Sequence, residues 1–123
     1  MNEIKRDELK QLIDSRQTIG ENSPIILIDV REPIEVQAYG SISTSINIPM
    51  SDVDKELSLT SDAFRQKYGK IINKDKKLIF YDRSGARSEE TTKIASDKGY
   101  VNATHYKGSA LEWAEIDFNV KKY

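Results

Sequence analysis

Leu78-Ile79-Phe80-Tyr81-Asp82-Arg83-Ser84-Gly85-Ala86-Arg87-Ser88 passes from four consecutive apolar residues into a short polar loop. An apolar run of this length, bounded by turn residues, suits a strand buried on both faces. The residues beyond it, Ser88 to Lys98, read as a helix stopped by Gly99. A second β-branched run, Ile25-Ile26-Leu27-Ile28, repeats the pattern. It leaves through Asp29-Val30-Arg31-Glu32-Pro33 into a short helix reaching Tyr39, with Pro33 suited to its first turn.

Working outward from these two strands, the rest of the chain alternates in the same way. Ile4, Leu9, Leu12 and Ile13 predict an amphipathic helix over Lys5 to Arg16, followed by the Gly20 to Pro24 loop. Ser45-Ile46-Asn47-Ile48-Pro49 reads as a short strand stopped by proline. Helical stretches are expected at Asp52 to Leu57 and at Ser61 to Tyr68, the latter stopped by Gly69. Ala103 to Tyr106 reads as a last strand, and Ser109 to Ile116 as a terminal helix carrying Trp113. Parallel neighbours need crossover connections, so this alternation predicts an α/β fold. The expected sheet is central, mainly parallel and four- or five-stranded, with helices on both faces.

The bulk properties agree with one small domain spanning residues 1–123, in which residues 1–24 are an N-terminal helix, packed by one face, and a loop. At 37% hydrophobic and 32% charged, the 123-residue chain has enough apolar side chains for one core. Nineteen basic and twenty acidic residues leave a net charge of −1, which gives no global attraction to nucleic acid or an anionic membrane. No apolar run approaches the roughly 20 residues of a membrane span, and no secretory signal pattern opens the sequence. The expected location is the cytoplasm or the mitochondrial matrix. The absence of cysteine removes disulfides, thiolate metal sites and every cysteine-based mechanism. No cofactor or metal is expected.

Ligands of open α/β sheets collect beyond the carboxyl ends of strands, so the loop after Tyr81 is the candidate site. Gly85 lets the backbone curl with its N–H groups inward, and the next helix adds the positive end of its dipole. Arg83 and Arg87 add charge, while Ser84 and Ser88 add hydroxyl donors around Ala86. On residues alone a plainer explanation stands beside this one: Ser88 caps a helix, and both arginines are solvated or paired with Glu89, Glu90 or Asp29.

Four blocks, taken in order, resemble the rhodanese family: Asp29-Val-Arg-Glu-Pro33, Ser45-Ile-Asn-Ile-Pro49, Arg83-Ser-Gly-Ala-Arg-Ser88, and Gly99-Tyr100 with Tyr106-Lys-Gly108 and Trp113. The match covers about residues 25–116 and looks most like the single-domain eukaryotic members, heat-shock-associated and mitochondrial. It implies a three-layer rhodanese-like sandwich. In that family the strand ends in a cysteine that takes a sulfane sulfur from thiosulfate or a similar donor as a persulfide. At the matching position stands Asp82, whose oxygen cannot form one.

The resemblance therefore implies the fold without the chemistry. The favoured expectation is an inactive module that binds a small anion of the thiosulfate, sulfate or phosphate class, or a protein partner, at the 82–88 loop. Asp82 would supply the loop's negative charge from within and repel outside anions. One alternative is a thiosulfate sulfurtransferase whose cysteine has been replaced by Asp82. Another is a phosphatase or arsenate reductase on the same fold, although an aspartate nucleophile would want Mg²⁺ and further carboxylates.

Outside the loop, Asp29 and Arg31 are expected to form a framework ion pair, Trp113 to be core, and His105 to lie at the surface or a strand end. One departure from the family pattern precedes the second strand. Where many members carry Gly-His-Ile-Pro-Gly-Ala, this chain has Gly40-Ser-Ile-Ser-Thr-Ser45, which should alter the stiffness of that connection.

Overall fold

The computed structural model describes residues 2–123. Its elements, in order, are β1 (Asn2–Ile4), α1 (Arg6–Asp14), β2 (Ile25–Asp29), α2 (Pro33–Tyr39), β3 (Ile46–Asn47), a 3₁₀ turn at Met50–Asp52, α3 (Val53–Glu56), α4 (Ser61–Tyr68), β4 (Lys77–Tyr81), α5 (Ala86–Asp97), β5 (Ala103–Tyr106) and α6 (Ser109–Trp113). The five strands form one sheet in the order β1-β5-β4-β2-β3, and every pairing is parallel. The expected α/β sandwich is observed, with one strand more than the apolar runs revealed.

Why the two apolar runs form the middle of the sheet follows from their alternation. Ile26 and Ile28 of β2, with Leu78 and Phe80 of β4, face one core that includes Val53, Phe64 and Ala95 from α3, α4 and α5. Ile25 and Leu27, with Ile79 and Tyr81, face a second core that includes Leu9 of α1, Ala110 and Trp113 of α6, and Val120. Both faces are therefore apolar, and a strand with two buried faces needs an unbroken hydrophobic run. Trp113 belongs to this second core as expected, packed edge-on against Tyr106 with ring centroids 6.1 Å apart.

Two expectations are corrected here. Helix α5 begins at Ala86, not Ser88, for a reason that lies in the loop itself. His105 is fully buried within β5 instead of lying at the surface. The altered connection before β3 also has a structural cost. Thr44 sits at φ +72°, in the left-handed region, at the place where the family pattern carries glycine. Its hydroxyl donates to Thr18 Oγ1 at 2.7 Å, which offsets part of that strain.

Candidate functional site

The site forms where β4, the middle strand of the sheet, ends. Ala110 and Leu111 of α6 donate backbone N–H groups to the carbonyl oxygens of Asp82 and Arg83, at 2.9 and 3.0 Å, and so pin the start of the loop. Gly85 then turns the chain at φ +110°. A Cβ there would stand 2.6 Å from the Lys107 carbonyl oxygen, so conformation and close approach both require glycine.

The Asp82 side chain folds back into this turn. Its Oδ1 accepts the Gly85 N–H at 2.6 Å, the Ser88 hydroxyl at 3.0 Å and the Ser109 hydroxyl at 3.1 Å. Its Oδ2 accepts the Arg87 N–H at 2.9 Å, with Arg87 Nε 3.4 Å away. Three loop donors and one from α6 thus converge on a carboxylate whose side chain is 2% exposed. Asp82 thus accepts the N–H of Gly85, the N-cap residue of α5, and that of Arg87 in its first turn, where the helix starts two residues before Ser88.

Ser88 consequently does not cap the helix. Its hydroxyl lies near two groups that can only accept, Asp82 Oδ1 and the Gly85 carbonyl oxygen at 3.2 Å. His105 Nε2 is 2.8 Å from the same hydroxyl. The Ser88 hydroxyl has one hydrogen, so with that hydrogen on either oxygen acceptor the third contact is a hydrogen bond only when His105 Nε2 donates it. Its Nδ1 is buried without a partner among the described residues.

The arginines divide their roles. Arg87 forms a two-pronged pair with Glu35 of α2, Nη1 to Oε2 at 2.7 Å and Nη2 to Oε1 at 3.0 Å, and not with Glu89, Glu90 or Asp29. Its hydrogen bonds hold the Glu35 carboxyl down at about 2, aided by the Glu32 backbone N–H and against the opposing effect of burial. Arg83 forms no ion pair with Asp82, and its guanidinium lies over the Tyr123 ring. Ser84 is exposed and Ala86 starts the helix, so neither side chain enters the cradle.

Asp29 and Arg31 form the expected framework pair. Asp29 Oδ1 accepts the Arg31 backbone N–H and Nε, each at 3.0 Å, and Oδ2 accepts Nη2 at 2.7 Å. Nη2 also reaches the Gly40 carbonyl at 2.7 Å, which ties β2 to the end of α2. Burial alone would weaken the Arg31 charge, but the bonds to Asp29 outweigh it and raise the guanidinium pKa.

Reading the loop did not reveal four residues that complete this arrangement: Glu35, His105, Ser109 and Tyr123. Ser109 follows Gly108 just past a strand, and its φ of +57° is unusual for a residue other than glycine. Glu35 follows Glu32 by three, the spacing of the reciprocal helix cap the two form.

A parallel sheet whose middle strand runs into a loop of donors gathered on the Asp82 carboxylate at a helix N-terminus defines the class: an α/β domain with its candidate site at the strand carboxyl ends. The chain belongs to the rhodanese-like domain family, whose model matches residues 5–116. It is 48% identical over 92 residues to the rhodanese domain-containing protein CG4456 of Drosophila melanogaster, covering 74% of this chain and 83% of that one. It is 38% identical over 103 residues to a thiosulfate:glutathione sulfurtransferase of Saccharomyces cerevisiae, covering 81% and 73% respectively. The human single-domain sulfurtransferase TSTD1 superposes with a TM-score of 0.82 at 28% identity, over 95% of this chain and 98% of the other. Similar proteins thus include sulfurtransferases, whereas this chain has no cysteine. Among the described residues no helix is long and apolar enough to cross a membrane.

Proposed function

We propose that the chain is a catalytically silent rhodanese domain in which Asp82 occupies the position of the family's persulfide-forming cysteine. The observation that carries this reading is the filled cradle: an ionisable oxygen acid receives the donors that would otherwise face a sulfur-borne anion. Oxygen in a carboxylate cannot accept a sulfane sulfur and return it to an acceptor, so the transfer cycle has no carrier atom. The 82–88 loop then serves as a recognition element for a small anion of the thiosulfate, sulfate or phosphate class, or for a protein partner. Neither nucleic acid nor a membrane is an expected partner.

The intact donor set also supports a second reading, a sulfurtransferase frame that lacks only its nucleophile. One comparison addresses both readings. The protein is expected to form no thiocyanate from thiosulfate and cyanide above background, and Asp82→Cys to form it. Thiocyanate production by the parent that survives dialysis and Asp82→Ala would overturn the silent reading. No gain in Asp82→Cys would remove the second.

A further inference from the structure

The segment Asn119 to Tyr123 runs beside the loop and is held there at several points. Lys121 donates its backbone N–H to the Tyr39 carbonyl at 2.8 Å, and Val120 is buried in the core. The Asn119 carbonyl oxygen lies so close to Gly40 that a Cβ at that position would collide with it. Glycine at φ +79° thus closes α2 and leaves room for the passing strap.

Tyr123 then places its side chain among Tyr39, Arg83, Glu35 and Arg31, the second of which belongs to the loop. Its ring stacks on Tyr39 with centroids 3.7 Å apart and planes 5° from parallel. With one face so covered, Arg83 is left the other, its guanidinium carbon 4.8 Å from the ring centre. The hydroxyl donates to Glu35 Oε1 at 2.8 Å, while Arg31 Nη1 approaches it at 3.5 Å. Glu35 in turn grips Arg87, whose backbone N–H and Nε face Asp82. One side chain is therefore coupled to both loop arginines. Arg83 makes no salt bridge among the described residues, and its Nε is buried without an acceptor.

We propose that residues 119–123 are a lid on the Asp82–Ser88 loop, with Tyr123 as its catch, and that an outside group reaches Arg83 and the cradle only when the catch releases. This rests on the reading of the loop as a recognition element and names its regulation. The contacts that close the catch are a π-stack with Tyr39, a cation–π contact with Arg83, a hydrogen bond to Glu35 and a long one from Arg31, beside the backbone bond from Lys121 to Tyr39. An incoming anion offers Arg83 a stronger partner than the aromatic face, so ligand and lid compete for the same guanidinium.

The absence of other cysteines gives a direct probe. Asp82→Cys places the only thiol in the cradle, and its alkylation by iodoacetamide reports access. Rates are compared at their high-pH plateau, so a changed thiol pKa does not enter. Adding Tyr123→Ala or Tyr39→Ala should raise the rate about tenfold, equivalent to about 1.4 kcal/mol of lid closure. Tyr123→Phe, which keeps the stack, should raise it less. Tyr39→Ala opens the catch without altering the strap, and circular dichroism with a thermal melt shows whether each variant is folded. Folded Tyr123→Ala and Tyr39→Ala variants that alkylate within twofold of the Asp82→Cys parent would overturn the lid. Thiocyanate formation by Asp82→Cys is read separately: faster alkylation without sulfur transfer keeps the lid and rejects only the intact sulfurtransferase frame.

Discussion

Replacing Asp82 by Ala removes one carboxylate and leaves four donors facing its place, so its effect on stability can be worked group by group. Two of the donors have alternatives at hand. Ser88 Oγ already lies 3.2 Å from the Gly85 carbonyl, and Ser109 Oγ lies 2.9 Å from the Tyr106 carbonyl. The N–H groups of Gly85 and Arg87 have no second acceptor among the described residues and become orphans. A buried donor left without a partner costs about 1–3 kcal/mol, so the pair predicts a loss of roughly 2–6 kcal/mol. For a chain of this length that is a fall in Tm of roughly 8–24 °C. The vacated cradle should bind sulfate, and sulfate at a hundred times its Kd would return about 2.7 kcal/mol. Urea unfolding of parent and variant, in chloride and in sulfate at matched ionic strength, measures both effects. Sulfate stabilises proteins generally, so the informative quantity is the extra gain of the variant over the parent. A loss under about 0.5 kcal/mol, or equal sulfate gains, would refute the view that Asp82 is the cradle's own anion.

Three other perturbations have worked signs. Glu35 is held at about 2 against an ordinary 4.5, so its pairing with Arg87 stabilises the fold above the ordinary value and is lost as pH falls toward 2. Partial exposure of both groups limits this to about 1–3 kcal/mol, and Glu35→Gln should flatten the stability profile over that window in acid-titrated urea melts. Thr44→Gly relieves a left-handed β-branched residue but loses the Thr18 bond, for a net gain of up to about 1 kcal/mol; a loss beyond 1 kcal/mol in thermal melts would contradict the strain. For His105, ¹⁵N–¹H correlation spectra should show the hydrogen on Nε2, and a signal from the opposite tautomer would reverse the assigned direction of the Ser88 bond.

The parts of the fold that were legible in the sequence are those where burial is two-sided. Ile25–Ile28 and Leu78–Tyr81 announce the central strands because both their faces meet a core. Strand β1 escaped notice because Asn2 and Glu3 are exposed and Ile4 alone is buried, and its strand character comes from pairing with β5, far away in sequence. The candidate site divides along the same line. Asp82, Gly85, Arg87 and Ser88 share one loop and could be grouped by inspection, whereas Glu35, His105, Ser109 and Tyr123 come from other elements and meet the loop only through the topology. His105 was misplaced because a lone polar residue in a short strand looks exposed until its partner, Ser88, is brought beneath it by α5. If the proposed silent reading holds, this division explains how a family fold can outlast its reaction. The cradle's donors require a negative charge with lone pairs in the right directions, a condition that oxygen and sulfur both meet, whereas sulfur transfer requires the sulfur itself. On the proposed reading, a carboxylate at position 82 satisfies the structural demand and abandons the chemical one. The Gly85 and Arg87 N–H groups at the start of α5 keep their acceptor, and what remains open to change is what the proposed lid admits.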